Sequence, residues 1–303
     1  MTENNQSREI AIIQNAALND IEEVFEKIKL FINDEKKSVI LLFDNSEDYS
    51  NNLKAIDYIK ENSDFRVKKV TEKVYLIVDN EFYTENAVDK RLIAIGDIHG
   101  EIDKLNNLLK KIDPKIGDTL VFLGDYIDRG KDSAAVVDRL LELKNDFVEC
   151  IFLKGNHEQL FLQTLKTLSA EDVANCISNG GAETLKQYLT MKKNDFEKFK
   201  IHIKFFKSLE NYYLTDEFLF VHAGISPYKP LEEQTEEEFL WIRNEFIEYP
   251  TNIPQKVIFG HTPFQEPYIE SDKIGINLGC GIYDDAPLTA YICNENKFIQ
   301  SDI

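Results

Sequence analysis

The chain has 303 residues, 43% of them hydrophobic, enough to build one large domain and a small one. Its 35 basic and 54 acidic residues leave a formal net charge of −19, a surface that repels phosphate backbones and argues against nucleic acid as a general partner. No apolar run reaches the roughly 18 residues of a membrane span, and the polar start Met1–Gln6 lacks a signal-peptide pattern. Cys150, Cys176, Cys280 and Cys293 lack CxxC spacing, so a reduced, cytoplasmic protein without a membrane partner is expected, not a disulfide scaffold or zinc ribbon.

Residues 9–78 predict a small α/β domain. Strand-like Ile10–Ile13 precedes a helical face made by Ile21, Val24, Phe25, Ile28 and Ile32, with Asn19 and Glu22 as its start signal. Then come a strand at Val39–Phe43, a second helical face (Leu53, Ile56, Ile59) and strands at Phe65–Val70 and Val74–Val78. This stretch contains no His, Cys or Gly, so neither a metal cluster nor a glycine-rich phosphate loop is expected in it. Polar residues 79–90 read as a linker, which divides the chain into 1–88, of unassigned role, and 89–303.

From Leu92 onward, five short apolar runs each stop at a glycine-flanked polar cluster. Leu92–Ile95 runs into Gly96-Asp97-Ile98-His99-Gly100, and Leu120–Leu123 into Gly124-Asp125-Tyr126-Ile127-Asp128-Arg129-Gly130. Cys150–Leu153 leads to Gly155-Asn156-His157-Glu158, Phe218–Val221 to His222-Ala223-Gly224, and Val257–Phe259 to Gly260-His261-Thr262. Such runs read as strands buried on both faces. Helices are predicted after the first cluster (Ile102, Leu105, Leu109, Ile112, stopped by Pro114) and after the second (Ala134, Val137, Leu140, Leu141). The alternation implies right-handed crossovers and a sheet that begins parallel. A helix-rich stretch over 159–210 and further strands over 212–300 suit two sheets flanked by helices.

Ligands in open α/β sheets sit beyond the carboxyl ends of the strands, so these clusters are candidates for one metal site. Asp97 and His99, two apart on chain read as extended, are expected to project to one side and bind one ion. Asp125 can bridge to a second ion, for which Asn156, His222 and His261 supply oxygen and nitrogen. Mixed oxygen and imidazole donors suit manganese, iron or zinc better than calcium or magnesium. Of the five histidines, only His202 sits outside a cluster and reads as structural.

The first three clusters resemble the signature motifs of the PPP-type metallophosphoesterases, and His222-Ala223-Gly224 and Gly260-His261-Thr262 are similar to that family's last two metal-ligand segments. The resemblance covers residues 90–300. It implies a calcineurin-like β-sandwich flanked by helices, with two divalent ions. Asp97, His99 and Asp125 would bind the first ion, and Asp125, Asn156, His222 and His261 the second. It further implies that Arg129 grips phosphate oxygens beside Asn156, and that His157, held by Asp128, protonates the leaving group. Trp241-Ile242-Arg243 resembles the segment that supplies a second phosphate arginine, Arg243; the alternative is a helix-face arginine pairing with Glu238 or Glu245.

Asn179-Gly180-Gly181-x-x-Thr184-Leu185 and Glu158 look like the phage lambda-type and bacterial protein serine/threonine phosphatases, whereas Asn277 stands where many bacterial members carry Asp. The expected activity is a manganese-dependent phosphoprotein phosphatase whose substrate is a phosphorylated protein or a small phosphoester. The alternatives are a dinucleoside polyphosphate (symmetrical tetraphosphate) hydrolase or a non-catalytic metal-binding scaffold, and a protein partner is open for the N-terminal domain.

Overall fold

Three strands of the predicted alternation form a parallel ladder: Leu92–Ile95 (β5), Thr119–Phe122 (β6) and Glu149–Phe152 (β7). The computed structural model in which they stand describes residues 10–14, 26, 28, 38–42, 66–71, 74–78, 90–115, 117–143, 149–191 and 195–302. Helices Ile102–Ile112 (α1) and Ser133–Leu143 (α2) make the crossovers. Helix α1 buries Leu105, Leu108, Leu109 and Ile112, a stripe at i, i+3, i+4 and i+7. Its end is capped by Asp113 in the left-handed region, whose N–H bonds back to Leu109, and Pro114 follows, which cannot continue a helix. Two antiparallel strands, Thr289–Ile292 (β13) and Lys297–Gln300 (β14), complete a five-stranded sheet of order β14-β13-β5-β6-β7.

The second sheet is built from Tyr212–Leu214 (β8), Phe218–Val221 (β9), Lys256–Phe259 (β10), Tyr268–Ile269 (β11) and Lys273–Gly275 (β12), in the order β11-β12-β10-β9-β8. Strands β9, β10 and β12 are parallel to one another. Between β7 and β8 lie four helices: Asn156–Thr167 (α3), Ala170–Ser178 (α4), Ala182–Leu189 (α5) and Phe196–Lys207 (α6). Two short ones, Glu236–Trp241 (α7) and Asn244–Glu248 (α8), follow β9.

The period-2 geometry of the strands sorts their side chains into layers. Ile93, Ile95, Leu120 and Phe122 pack outward with Leu105, Val136, Phe161 and Phe206 from the helices. Their neighbours Ala94 and Val121 face Phe220, Ile258 and Ile274 of the other sheet. Leu219, Val221, Val257 and Phe259 then pack outward with Phe239 and Phe246. This is a β-sandwich covered by helices, with apolar side chains on both faces of the central strands. Burying each such Leu or Phe is worth about 1.5–3 kcal/mol. Register does the rest for function: Ile95, Phe122 and Phe152 are paired across β5, β6 and β7, as are Val221 and Phe259 across β9 and β10. The loops that follow therefore leave each sheet at one level.

In the N-terminal segment, Ile10–Gln14 (β1), Ser38–Leu42 (β2), Arg66–Thr71 (β3) and Val74–Val78 (β4) form a sheet of order β1-β2-β4-β3. Strands β1 and β2 are parallel and the rest antiparallel. The two helical faces and the linker read from the sequence lie outside the described residues, save Lys90 at the linker's end and Glu26 and Ile28, which are helical, with Ile28 buried. By contacts the chain divides into a unit around this sheet and a larger one comprising Arg91–Pro114, Asp118–Lys144 and Val148–Ile303. Among the described residues no helix is long and apolar enough to cross a membrane.

Candidate metal centre

Each cluster places its polar groups through close backbone packing. After β5, Asp97 turns inward, and its carboxylate accepts the His261 N–H at 3.0–3.1 Å and the Asn277 amide at 2.7 Å. After β6, Asp125 accepts the His157 N–H at 3.1 Å. Both arrangements depend on a glycine. A Cβ at Gly155 would come within 2.1 Å of Asp125 Oδ1, and one at Gly260 within 2.2 Å of Asp97 Oδ1. The glycines that precede Asn156 and His261 thus make room for the two carboxylates.

His99 departs from the extended chain expected of it. It has φ 48° in a turn, held because the His99 N–H donates to Asp125 O and the Gly130 N–H to His99 O, both at 2.9 Å. The turn, and not strand alternation, directs its ring: Nδ1 lies 3.0 Å from Ile127 O, leaving Nε2 3.6 Å from Asp125 Oδ2. His222 is held alike, with Nδ1 2.8 Å from Leu123 O and Nε2 3.4 Å from the same Asp125 oxygen.

Asp125 Oδ2 is therefore a hub, with His157 Nε2 3.8 Å away as well. Two buried triples, His99–Asp125–His157 and Asp125–His222–His261, each bring their donor atoms within 4.8 Å of one another. Asn156 Oδ1 joins the second, 2.9 Å from His222 Nε2 and 3.0 Å from His261 Nδ1. Asp97 stands in neither triple; it lies beside them, its carboxylate on His261 and Asn277. A carbonyl behind each of His99 and His222 fixes the ring and leaves Nε2 facing the carboxylate, the arrangement that suits imidazole as a metal ligand. The donor set fits a pair of divalent ions sharing Asp125.

Charge in the site supports this. Burial, with His157 nearby, holds His99 well below its usual range, so it is neutral. Burial opposes protonation of His222 too, but the Asp125 and Asp97 carboxylates push it up to about 9; a cation would displace that proton. Burial and Asp125 push Asp97 up to about 6 against the pull of His222 and the His261 N–H. Burial would also raise Asp125, yet the surrounding histidines hold it well below the carboxylate range.

Beside the hub lies an acid–base pair. His157 Nδ1 is 2.7 Å from Asp128 Oδ2, with both groups buried. Burial disfavours the imidazolium, but Asp125 and then Asp128 overcome it and raise His157 above its ordinary value. Arg129 is exposed, and its Nη1 and Nη2 stand 3.2 Å from His99 Nε2 and His157 Nε2. Asp128 and Arg129 have φ 73° and 66°, a costly pair for non-glycine residues. The Asn179–Gly181 turn and α5 hold them: the Arg129 N–H donates to Gly180 O, and the Asp128 N–H to Ser133 and Thr184. Arg243 is exposed and stands in the fields of Asp97 and Asp125; desolvation lowers it against their pull. The glutamates weighed as its partners are engaged elsewhere, Glu238 with Lys229 and Thr235 and Glu245 with Ser226.

Two features that resemble one branch of the family also support the site. Glu158 is fully buried and accepts the N–H groups of Asp125, Tyr126 and Gly155 at 2.8–3.0 Å, so it ties the second cluster to the third. The Asn-Gly-Gly-x-x-Thr segment seats Arg129 as just described. His202 lies away from the centre, buried between Tyr188 OH and Asp138 at 2.8 and 3.0 Å.

A family model described as calcineurin-like phosphoesterase matches residues 90–299. Over 240 residues the chain is 27% identical to the asymmetrical bis(5'-nucleosyl)-tetraphosphatase PrpE of Oceanobacillus iheyensis, covering 69% of this chain and 91% of that protein. It is also 27% identical over 164 residues to a catalytic subunit of protein phosphatase 2A from Dictyostelium discoideum, covering 53% of this chain and 46% of that one. A solved structure described as a candidate diadenosine tetraphosphatase shares the fold, with a TM-score of 0.54 at 24% identity over 70% of this chain and 93% of its own.

Proposed function

The chain belongs to the calcineurin-like phosphoesterase family, and from that premise we propose that this metallophosphoesterase is a cytoplasmic protein phosphatase acting on phosphoserine or phosphothreonine. Asp97, His99 and Asp125 would hold one divalent ion, and Asp125, Asn156, His222 and His261 a second. Bound there, two such ions supply an acidified water and neutralise charge on the phosphoryl oxygens. The mixed carboxylate, amide and imidazole donors favour manganese over magnesium.

The chain's own groups do the rest. Arg129, with its planar fork, would hold two phosphoryl oxygens, joined by Arg243 and the Asn156 amide. His157, with Nδ1 on Asp128, presents Nε2 to the site and would pass its proton to the leaving oxygen as the ester bond breaks. The observation that carries the reading is this junction: a buried imidazole raised by Asp125 and Asp128, 3.2 Å from an exposed guanidinium fork. A fork and one proton donor match a single phosphoryl group with an alcohol leaving group, and exposure of the fork suits a substrate carried on a protein surface.

Hydrolysis of dinucleoside tetraphosphates is the second reading, favoured by the likeness spanning 91% of the Oceanobacillus protein. Assay with manganese against a phosphoserine peptide and diadenosine tetraphosphate separates them. Turnover of the peptide in preference to the dinucleotide is expected; the opposite preference assigns the second reading.

A further inference from the structure

Asn277 stands behind the metal centre, buried, in the segment that follows β12. Both ends of its amide are engaged. Oδ1 accepts the Gly279 N–H at 2.7 Å, and Nδ2 donates to Asp97 Oδ2 at 2.7 Å. The first bond fixes the orientation of the second: only oxygen can accept from the Gly279 N–H, so the NH2 must face Asp97. The backbone is anchored as well, since Asn277 O accepts from the Phe264 N–H at 3.0 Å. On its other side, the Asp97 carboxylate lies over Gly260, where a Cβ would stand 2.2 Å from Oδ1, and takes the His261 N–H. Asp97 is thus gripped by a backbone donor and by one side chain, and that side chain is uncharged.

We propose that Asn277 is a positioning residue for the first metal ion: its amide sets the plane of the Asp97 carboxylate without adding a negative charge. An Asp here would face Asp97 with a second carboxylate at the same separation. Groups that orient a ligand in this way change metal affinity about 10–100-fold when removed. The effect should fall on the ion that Asp97 holds and spare the one bound by Asn156, His222 and His261. The inference rests on the dinuclear reading of the site.

The test uses the full chain stripped with a chelator and titrated with manganese by calorimetry, as wild type, Asn277→Ala and Asn277→Leu. Asn277→Leu keeps the side-chain volume if the smaller replacement does not fold. Wild type is expected to take up two ions. Each variant should retain one site of unchanged affinity while the other weakens about 10–100-fold. Two wild-type affinities in both variants, or equal losses at the two sites, overturn the positioning role alone. A wild type that binds fewer than two ions overturns the dinuclear reading together with this inference.

Discussion

As the proposed proton donor, His157 has to be cationic while buried, and its neighbours decide whether it can be. Burial works against the charge, and Asp125 and Asp128 more than offset it, so its folded value lies above the ordinary one. A proton donor with a raised value stays charged to higher pH. The alkaline limb of the rate profile should therefore lie above the ordinary histidine value of about 6.5, with activity lost as pH rises through the folded value. Asp128→Asn removes one raising charge and should move that limb toward lower pH; an unmoved limb in the pH–rate profile would detach it from His157. Loss of the acid itself, in His157→Asn, should slow alkyl phosphoesters about 10²–10⁴-fold and an activated aryl phosphate less, because that leaving group needs less protonation. Equal losses on the two substrates would assign His157 to structure or to a metal. The donor set makes its own prediction: a chelator should abolish turnover, manganese should restore it and magnesium, which prefers oxygen, should restore little. Full activity in chelator would refute the metal requirement.

The turn between α4 and α5 shows how an element far along the chain seats Arg129, the proposed phosphate grip. Gly180 has φ 97°, and a Cβ there would meet Arg129 Cγ at 2.7 Å. Gly180→Ala should cost about 1–2 kcal/mol for the left-handed backbone and displace the guanidinium fork. Expected are a lower melting temperature and a higher KM for phosphoesters with both metal sites intact; an unchanged KM would show that the fork is seated some other way. This element also marks the limit of what the sequence discloses. The elements were legible because short apolar runs and helix stop signals are local: β4 falls on Val74–Val78, and α1 ends at the residue before its cap and Pro114. The bend at His99 was not legible. A positive φ at a non-glycine residue is held by bonds to Asp125 and Gly130, and nothing in Gly-Asp-Ile-His-Gly announces them. The grip of Asn277 on Asp97 spans 180 residues, so the residue could be noted as a departure from a pattern while its contact could not be read.

At the scale of the whole molecule, the chemistry and the N-terminal segment separate. Every group of the candidate site lies between Asp97 and Asn277, on loops and helix starts that follow the strands of two sheets formed wholly from β5 to β14. Strands β1 to β4 pair only among themselves, so no described ladder joins the N-terminal sheet to those sheets. Residues 1–90 carry 12 basic and 19 acidic side chains and no His, Cys or Gly. Such a charge balance disfavours phosphate and complements a basic protein face, so this segment is expected to recruit a partner or tune access and not to hold the phosphoryl group. A chain begun at Ala87 keeps β5 to β14 and should retain two metal ions and hydrolysis of a small aryl phosphate, while its rate on a physiological phosphoprotein changes. The measurements are manganese stoichiometry by calorimetry and kcat/KM on the two substrates. If the shortened chain folds and binds both ions but no longer hydrolyses the aryl phosphate, residues 1–86 must reach the reacting centre, and the division of labour proposed here is wrong.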